Sequence, residues 1–238
     1  MTSLVPGAVN FRDIGGLHAG AAVTRAGVLY RSGDLSRIDG AGVEALRRLG
    51  IRRVIDLRAD DEVARNPTGL GALAATTQRI PLFFGSVTSF FANDVSLAEM
   101  YRYIVDDAGD GVVAAVRGVL ADQPVVVHCT VGKDRTGVTV ALTLAAAGVD
   151  LDDVVADYAR SETLLPPAGT AAAVAFLRSQ HPEARHLEEL ATRSPAPVMR
   201  ELLAEVTSRF GSAADYLRAR GMSDDEIAEL RRVLIAPA

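Results

Sequence analysis

The sequence predicts an α/β domain, built on a central and mainly parallel sheet of four or five strands flanked by helices. Three observations predict it. Short runs of β-type residues are interleaved along the chain with helical patterns. Most of those runs are continuously apolar rather than alternating, as in strands covered on both faces. Glycines and capping residues fall where one kind of segment gives way to the other.

In chain order, the first β-type segment is Gly27–Tyr30, followed by a helical pattern over Gly40–Leu49 that Gly50 terminates. Arg53–Leu57 is the second strand and Thr77–Leu82, the most polar, the third. Helical patterns cover Leu97–Val105 and Val112–Ala121, then Pro124–His128 reads as a fourth strand. Thr136–Ala147 is helical up to Gly148, and Asp150 is placed to cap a further helix over Leu151–Arg160. Ser223-Asp-Asp-Glu226 has the spacing of a capping box and opens the last helix.

The stretch from Thr163 to Pro197 differs in character. It is rich in Ala, and Pro166, Pro167, Pro182, Pro195 and Pro197 punctuate two short helical patterns, Thr170–Gln180 and Glu183–Thr192. Residues 163–193 read either as a helical hairpin packed on the sheet or as a lid beside the functional site. The whole chain, 1–238, is expected to be one domain carrying this insertion.

Composition narrows the function. An apolar fraction of 49% with 23% charged residues belongs to a globular protein. With no Trp and 5% aromatics, the core must rest on Val, Leu, Ile and Ala. A formal charge of −5 argues against a nucleic-acid partner. One cysteine excludes an internal disulfide, and four scattered histidines lack the spacing of a metal site. The N-terminal residues carry no basic segment followed by an apolar stretch of about 7–15 residues. Apolar runs such as Gly69 to Ala75 and Leu144 to Val149 fall well short of the ~20 residues that span a bilayer. The expectation is a soluble cytoplasmic protein, with export lacking a cleaved signal also compatible; the oligomeric state is left open.

One decapeptide carries the chemistry: His128-Cys-Thr-Val-Gly-Lys-Asp-Arg-Thr-Gly137, between the fourth strand and a helix. A sulfur at the end of a buried strand, followed by loop amides and a helix N-terminus, makes a phosphate cradle with a nucleophile at its base. A thiol is mostly protonated at neutral pH. A helix dipole contributes typically about 0.3–1 and at best about 2 kcal/mol, too little to ionise the sulfur alone. The remainder must come from inward-pointing amides, the Thr136 hydroxyl and the Arg135 charge. No residue from Cys129 to Gly137 is proline, so each keeps an N–H, and Gly132 and Gly137 permit close backbone approach.

The candidate roles follow. Cys129 is the nucleophile and Arg135 grips phosphate oxygens in a planar, bidentate manner. Asp134 is either the general acid for the leaving oxygen or a hydrogen-bonder that pins the loop. Thr130, Val131, Gly132, Lys133, Thr136 and Gly137 are candidate phosphate or substrate ligands, with Lys133 a point charge for that phosphate or a second one. His128 either orients the loop through hydrogen bonds or is an ordinary strand-end histidine. Arg12, Asp13, Asp56 and Arg58 read as ion pairs tying the N-terminal segment to the sheet, with Arg31 and Arg58 alternatively facing the pocket.

At these residues the chain resembles the bacterial tyrosine and dual-specificity phosphatases with a Cys-x5-Arg loop, above all their mycobacterial secreted tyrosine/lipid branch. Beyond the loop, the resemblance runs through Asn10-Phe-Arg-Asp-Ile-Gly-Gly16, Leu29-Tyr-Arg-Ser32, Leu35-Ser36, Leu46-Arg-Arg-Leu-Gly-Ile51 and Asp56-Leu-Arg58. It continues through Val155-Ala-Asp-Tyr158, Phe210-Gly-Ser212 and Tyr216-Leu-Arg218. It implies a tyrosine-phosphatase-like fold and metal-independent, cofactor-free hydrolysis of phosphotyrosine, phosphoserine/threonine and phosphoinositides, with Cys129, Arg135 and Asp134 as the catalytic set. The Lys133-Asp134 pair is similar to that of phosphoinositide-directed relatives, and a two-helix lid occurs in the mycobacterial branch. The chain departs from the family after Ile80-Pro81-Leu82. There Phe83-Phe-Gly-Ser-Val87 lacks the Asp of a mobile acid loop, and the next carboxylate is Asp94. The stretch from Leu82 to Tyr101 is also shorter than in that branch.

Other readings are an inositol polyphosphatase using the same loop and a phosphate-binding module without turnover, which would have no need of the sulfur. A sulfurtransferase also puts cysteine at a strand end, but the His-Cys-x5-Arg-Thr-Gly context fits phosphate better.

Overall fold

The computed structural model describes residues 4–71, 73–82 and 88–237. Seven strands are formed among them: β1 (Arg12–Asp13), β2 (His18–Ala19), β3 (Ala22–Val23), β4 (Leu29–Ser32), β5 (Arg53–Asp56), β6 (Thr76–Arg79) and β7 (Val125–His128). The N-terminal half holds helices α1 (Gly40–Arg48), α2 (Asp60–Arg65), α3 (Thr88–Ala92), α4 (Leu97–Asp106) and α5 (Gly109–Ala121). After β7 come α6 (Arg135–Ala146), α7 (Leu151–Thr163), α8 (Pro167–Gln180), α9 (Leu187–Thr192), α10 (Ala196–Phe210), α11 (Ala213–Ala219) and α12 (Asp224–Leu234).

The main sheet has the order β1-β4-β7-β5-β6, with β1 antiparallel to β4 and the other pairs parallel. The continuous apolar runs now have their reason. Along β7, Val125 and Val127 face the large core packed by α4 to α7 and α10 to α12, while Val126 faces a smaller core with Tyr30, Val54 and Leu46. A strand buried on both faces favours apolar residues, and the charged ones it does carry here, such as Arg31 and Asp56, are ion-paired. β6 is an exposed edge, which explains why it was the polar strand.

The boundaries moved where glycine and proline act. β4 starts at Leu29 rather than Gly27, because Gly27 turns with φ 76° and donates its N–H to Asp13 Oδ2 at 2.7 Å. β6 ends at Arg79, before Pro81, which has no N–H to continue a ladder. Asp150 does precede α7, but its side chain does not cap that helix; Oδ1 accepts instead from Gly20 N. The capping box at Ser223 is formed, and Ser96–Glu99 makes another at α4.

Prolines read as breakers turned out to open helices. Pro167 begins α8, and Pro195 precedes α10, a helix the sequence pattern did not disclose. In the first turn a missing N–H costs nothing. The pattern over Glu183–Thr192 is helical only from Leu187. Among the described residues no helix is long and apolar enough to cross a membrane.

Candidate active site

The loop from Cys129 to Asp134 leaves the carboxyl end of β7, between the ends of β4 and β5, where open parallel sheets present their crevice. Cys129 is buried, at 1% exposure, and Arg135 begins α6. Gly132 makes the turn possible twice over. Its φ is 69°, and a Cβ there would lie 2.3 Å from the carbonyl of Ser32.

What orients the loop comes from far along the chain. Asn10 Nδ2 donates to the carbonyls of Val131 and Gly132 at 3.1 and 2.9 Å, and Arg31 Nη2 donates to Gly132 O at 2.9 Å. Asp34 N donates to Thr130 O at 2.9 Å. With the carbonyls drawn outward, the amides of residues 130 to 134 meet no acceptor among the described residues. Unpaired successive N–H groups of this kind suit an oxyanion.

Arg31 is in turn fixed by Asp157 of α7. Arg31 Nη1 donates to Asp157 Oδ2 at 2.7 Å and Arg12 Nε to Oδ1 at 2.6 Å. Burial would raise the Asp157 carboxyl, but the two guanidiniums outweigh it and hold it below the usual range. Arg12 therefore ties the N-terminal segment to α7, not to the sheet alone, and Arg31 sits behind the loop rather than in the pocket. Asp13 caps the turns at Gly15 and Gly27. Arg58 is buried against Asp56, donating from Nε and Nη2 at 2.9 and 2.8 Å, and does not face the pocket.

Arg135 is held end-on by Glu62 of α2. Nη1 donates to Oε2 at 2.5 Å and Nη2 to Oε1 at 2.8 Å, and the Thr130 hydroxyl also donates to Glu62. Burial opposes a charge on Glu62, yet the Arg135 guanidinium with the Thr130 and Ala59 donors brings its carboxyl down to about 2. Burial likewise opposes the Arg135 charge, and Glu62 more than restores it. Glu62 escaped the sequence reading; the only signal was an acidic run, Asp60-Asp61-Glu62, which also reads as an ordinary helix start.

Asp134 precedes α6 and reaches the cavity. Its Oδ1 accepts from Tyr101 Oη at 2.8 Å and from Lys133 Nζ at 2.5 Å, while Oδ2 takes no hydrogen bond among the described residues. Tyr101 and Tyr158 hydroxyls are 2.6 Å apart. Burial first, and then the Asp134 charge, push both phenols up, so they remain donors. Lys133 is turned away from the cavity: it is fully buried, and Nζ also donates to Arg193 O at 2.7 Å. A flexible stem let the chain spend this charge on the interior rather than on the crevice.

His128 is fully buried, with Nδ1 3.3 Å from Cys129 O and Nε2 3.7 Å from Asp56 Oδ2. Burial pushes its imidazole down, toward the neutral form. Thr136 Oγ1 is buried without a hydrogen-bond partner among the described residues, and Gly137 lets α6 pass Tyr158 and Arg31, which a Cβ would meet at 3.0 and 3.3 Å.

A cavity of about 200 Å³ stands on this floor. Cys129, Thr130, Val131, Asp134 and Arg135 line its base, Phe90, Phe91 and Met100 one wall, and Ala173, Leu177, Leu190 and Ala191 of α8 and α9 the other. A hollow of about 630 Å³ beside α8 is larger but contains no loop residue. Phe83 to Val87 lie outside the described residues, and Asp94 faces elsewhere, its Oδ2 accepting from Arg185 Nε at 2.8 Å.

A family model described as the tyrosine phosphatase family matches residues 4–236. The chain is 34% identical to the triple specificity protein phosphatase PtpB of Mycobacterium tuberculosis, over 97% of this chain and 98% of that one. It is 30% identical to a tyrosine-protein phosphatase of Nostoc commune, over 89% of this chain and 75% of the relative.

Proposed function

The chain belongs to the tyrosine phosphatase family, and we propose that this phosphatase cleaves phosphotyrosine through a phosphocysteine formed on Cys129. The observation that carries the reading is a buried cysteine followed by unpaired successive loop amides, with Arg135 beside it. In the first step the Cys129 thiolate attacks phosphorus. The bond from phosphorus to the phenolic oxygen breaks, its electron pair leaves with that oxygen, and Asp134 supplies the proton from Oδ2. In the second step water attacks the phosphocysteine and gives its proton to Asp134. Phosphate departs and the sulfur returns to thiolate. Loop amides and Arg135 hold the equatorial oxygens in both steps.

Apolar walls of Phe90, Phe91, Met100 and Leu177 suit an aromatic ring above the phosphate. Arg135 is the cation lining that cavity among the described residues, and a second phosphate would face apolar walls and the carboxyl groups of Glu62 and Asp134 there. This favours phosphotyrosine over phosphoinositides. Phosphoserine/threonine and phosphoinositide turnover form a second reading, favoured by the triple specificity in the name of the PtpB relative. Helices α8 and α9 act in this proposal as a cover that must shift to admit a peptide, since their side chains wall the cavity. Cytoplasmic residence belongs to the same reading, and fractionation of cells and medium tests it. The deciding experiment is a turnover panel of phosphotyrosine, phosphoserine and phosphoinositide substrates without added metal. Phosphotyrosine preference is expected; a preference for multiply phosphorylated lipids would reverse it.

A further inference from the structure

Lys133 is the loop residue whose position least resembles its expected role. Its side chain is fully buried, and its ammonium bridges two parts of the molecule. Nζ donates to Asp134 Oδ1 at 2.5 Å and to the carbonyl oxygen of Arg193 at 2.7 Å. Arg193 is the residue that ends α9. One cation thus touches both the carboxylate at the cavity base and the return end of the α8–α9 insertion.

The insertion is fastened unequally. At its base Glu162 and Ser194 are locked reciprocally: Glu162 N donates to Ser194 Oγ and Ser194 N to Glu162 Oε2, both at 2.9 Å. Ser194 Oγ donates onward to Ala159 O at 3.2 Å. Its far end is held by more exposed contacts, Arg185 Nε and His186 N donating to the two oxygens of Asp94, and Phe91 stacked on His181. Ala184 and Leu187 are buried as well, and Arg193 is the residue adjoining the clasp. Its carbonyl turns with the last peptide of α9.

The other acceptor of Lys133 is the carboxylate that the reaction requires. With Tyr101 and Lys133 both donating to Oδ1, the carboxyl plane is held and Oδ2 is the oxygen presented for proton exchange. We propose that Lys133 is a positioning residue: it couples the seating of α8–α9 to the orientation of Asp134, and does not serve as a ligand for a second substrate phosphate. A buried ammonium whose carbonyl acceptor turns away loses one of its two anchors and shifts its direction of approach to Asp134. That shift changes how Oδ2 is presented. The inference rests on the phosphatase reading above and goes beyond it by linking the insertion to the acid.

The test is a leaving-group series of aryl phosphates, run on the intact chain with kcat and KM read separately. General acid catalysis contributes typically about 10²–10⁴-fold. For Lys133→Met, kcat should therefore fall about 10- to 100-fold with poor leaving groups and within about 3-fold with activated ones, while KM stays near wild type. Lys133→Arg keeps the charge with a different donor geometry and should give an intermediate slope, which also covers failure of the Met variant to fold. A double-mutant cycle then joins Lys133→Met with Glu162→Ala, which removes the carboxylate half of the clasp, the bond from Ser194 N. Glu162→Ala should steepen the leaving-group dependence when Lys133 is present and add nothing when it is absent. Additive effects would overturn the coupling. A raised KM for phosphoinositides with an unchanged leaving-group slope would make Lys133 a substrate ligand and overturn the proposal outright, as would a uniform loss across leaving groups. A wild-type chain without turnover would refute the phosphatase reading instead.

Discussion

Glu62 grips Arg135 with both carboxylate oxygens, at 2.5 and 2.8 Å, across 73 positions of sequence. The Arg135 guanidinium is therefore preset by α2, whose Glu62 also accepts from the loop hydroxyl of Thr130. Both partners are buried, so the pair exchanges two desolvation costs for a rigid geometry.

Breaking that pair should be costly. For Glu62→Gln we expect a loss of about 3–5 kcal/mol at neutral pH, because a buried guanidinium loses its counter-charge. The pH dependence has a definite sign. The Glu62 carboxyl is depressed from 4.5 to about 2 in the folded chain, so its contribution is complete above 4.5 and is lost as pH falls toward 2. Urea unfolding of wild type and variant between pH 7 and pH 2.5 should show the stability gap closing in that window. A gap independent of pH would remove the ionic explanation.

Cys129→Ser should abolish turnover of aryl phosphates while inorganic phosphate still binds, since the amides of residues 130 to 134 and Arg135 are untouched. Calorimetric titration with phosphate beside a turnover assay checks both halves. Undiminished hydrolysis would reject covalent catalysis.

Asn10 has φ 58°, a left-handed conformation that asparagine tolerates, and its amide restrains two loop carbonyls. Asn10→Gly keeps the backbone and deletes the amide; Asn10→Ala adds about 1–2 kcal/mol of backbone strain. Both should lower kcat/KM by on the order of 10²-fold, as misplacement of a reacting group does. Only the alanine variant should show the extra loss of thermal stability. Full activity in the glycine variant would mean the loop carbonyls need no restraint.

Asp134→Asn removes the proton carrier while keeping an acceptor for Tyr101 and Lys133. The loss should reach about 10²-fold or more for poor leaving groups and be much smaller for activated aryl phosphates. Equal losses across the series would assign Asp134 to loop structure.

The strand, the loop and the helix that carry Cys129, Gly132, Asp134 and Arg135 were legible in the chain because they are contiguous. Within a dozen residues the β run, the missing prolines, the glycine turn and the helix start all refer to neighbours, and local sterics govern them. The same holds for the apolar runs of β5 and β7 and for the capping box at Ser223. What only the tertiary structure decided is which distant side chains hold that loop and which way its flexible cations point. Glu62, Asn10, Asp157 and Tyr101 meet the loop or its supports from 33 to 145 positions away, through contacts with no spacing rule. Lys133 shows the limit most directly. Its charge is written in the motif, but a four-carbon stem can deliver that charge to the crevice or the interior, and the carbonyl of Arg193 and the carboxylate of Asp134 set the outcome.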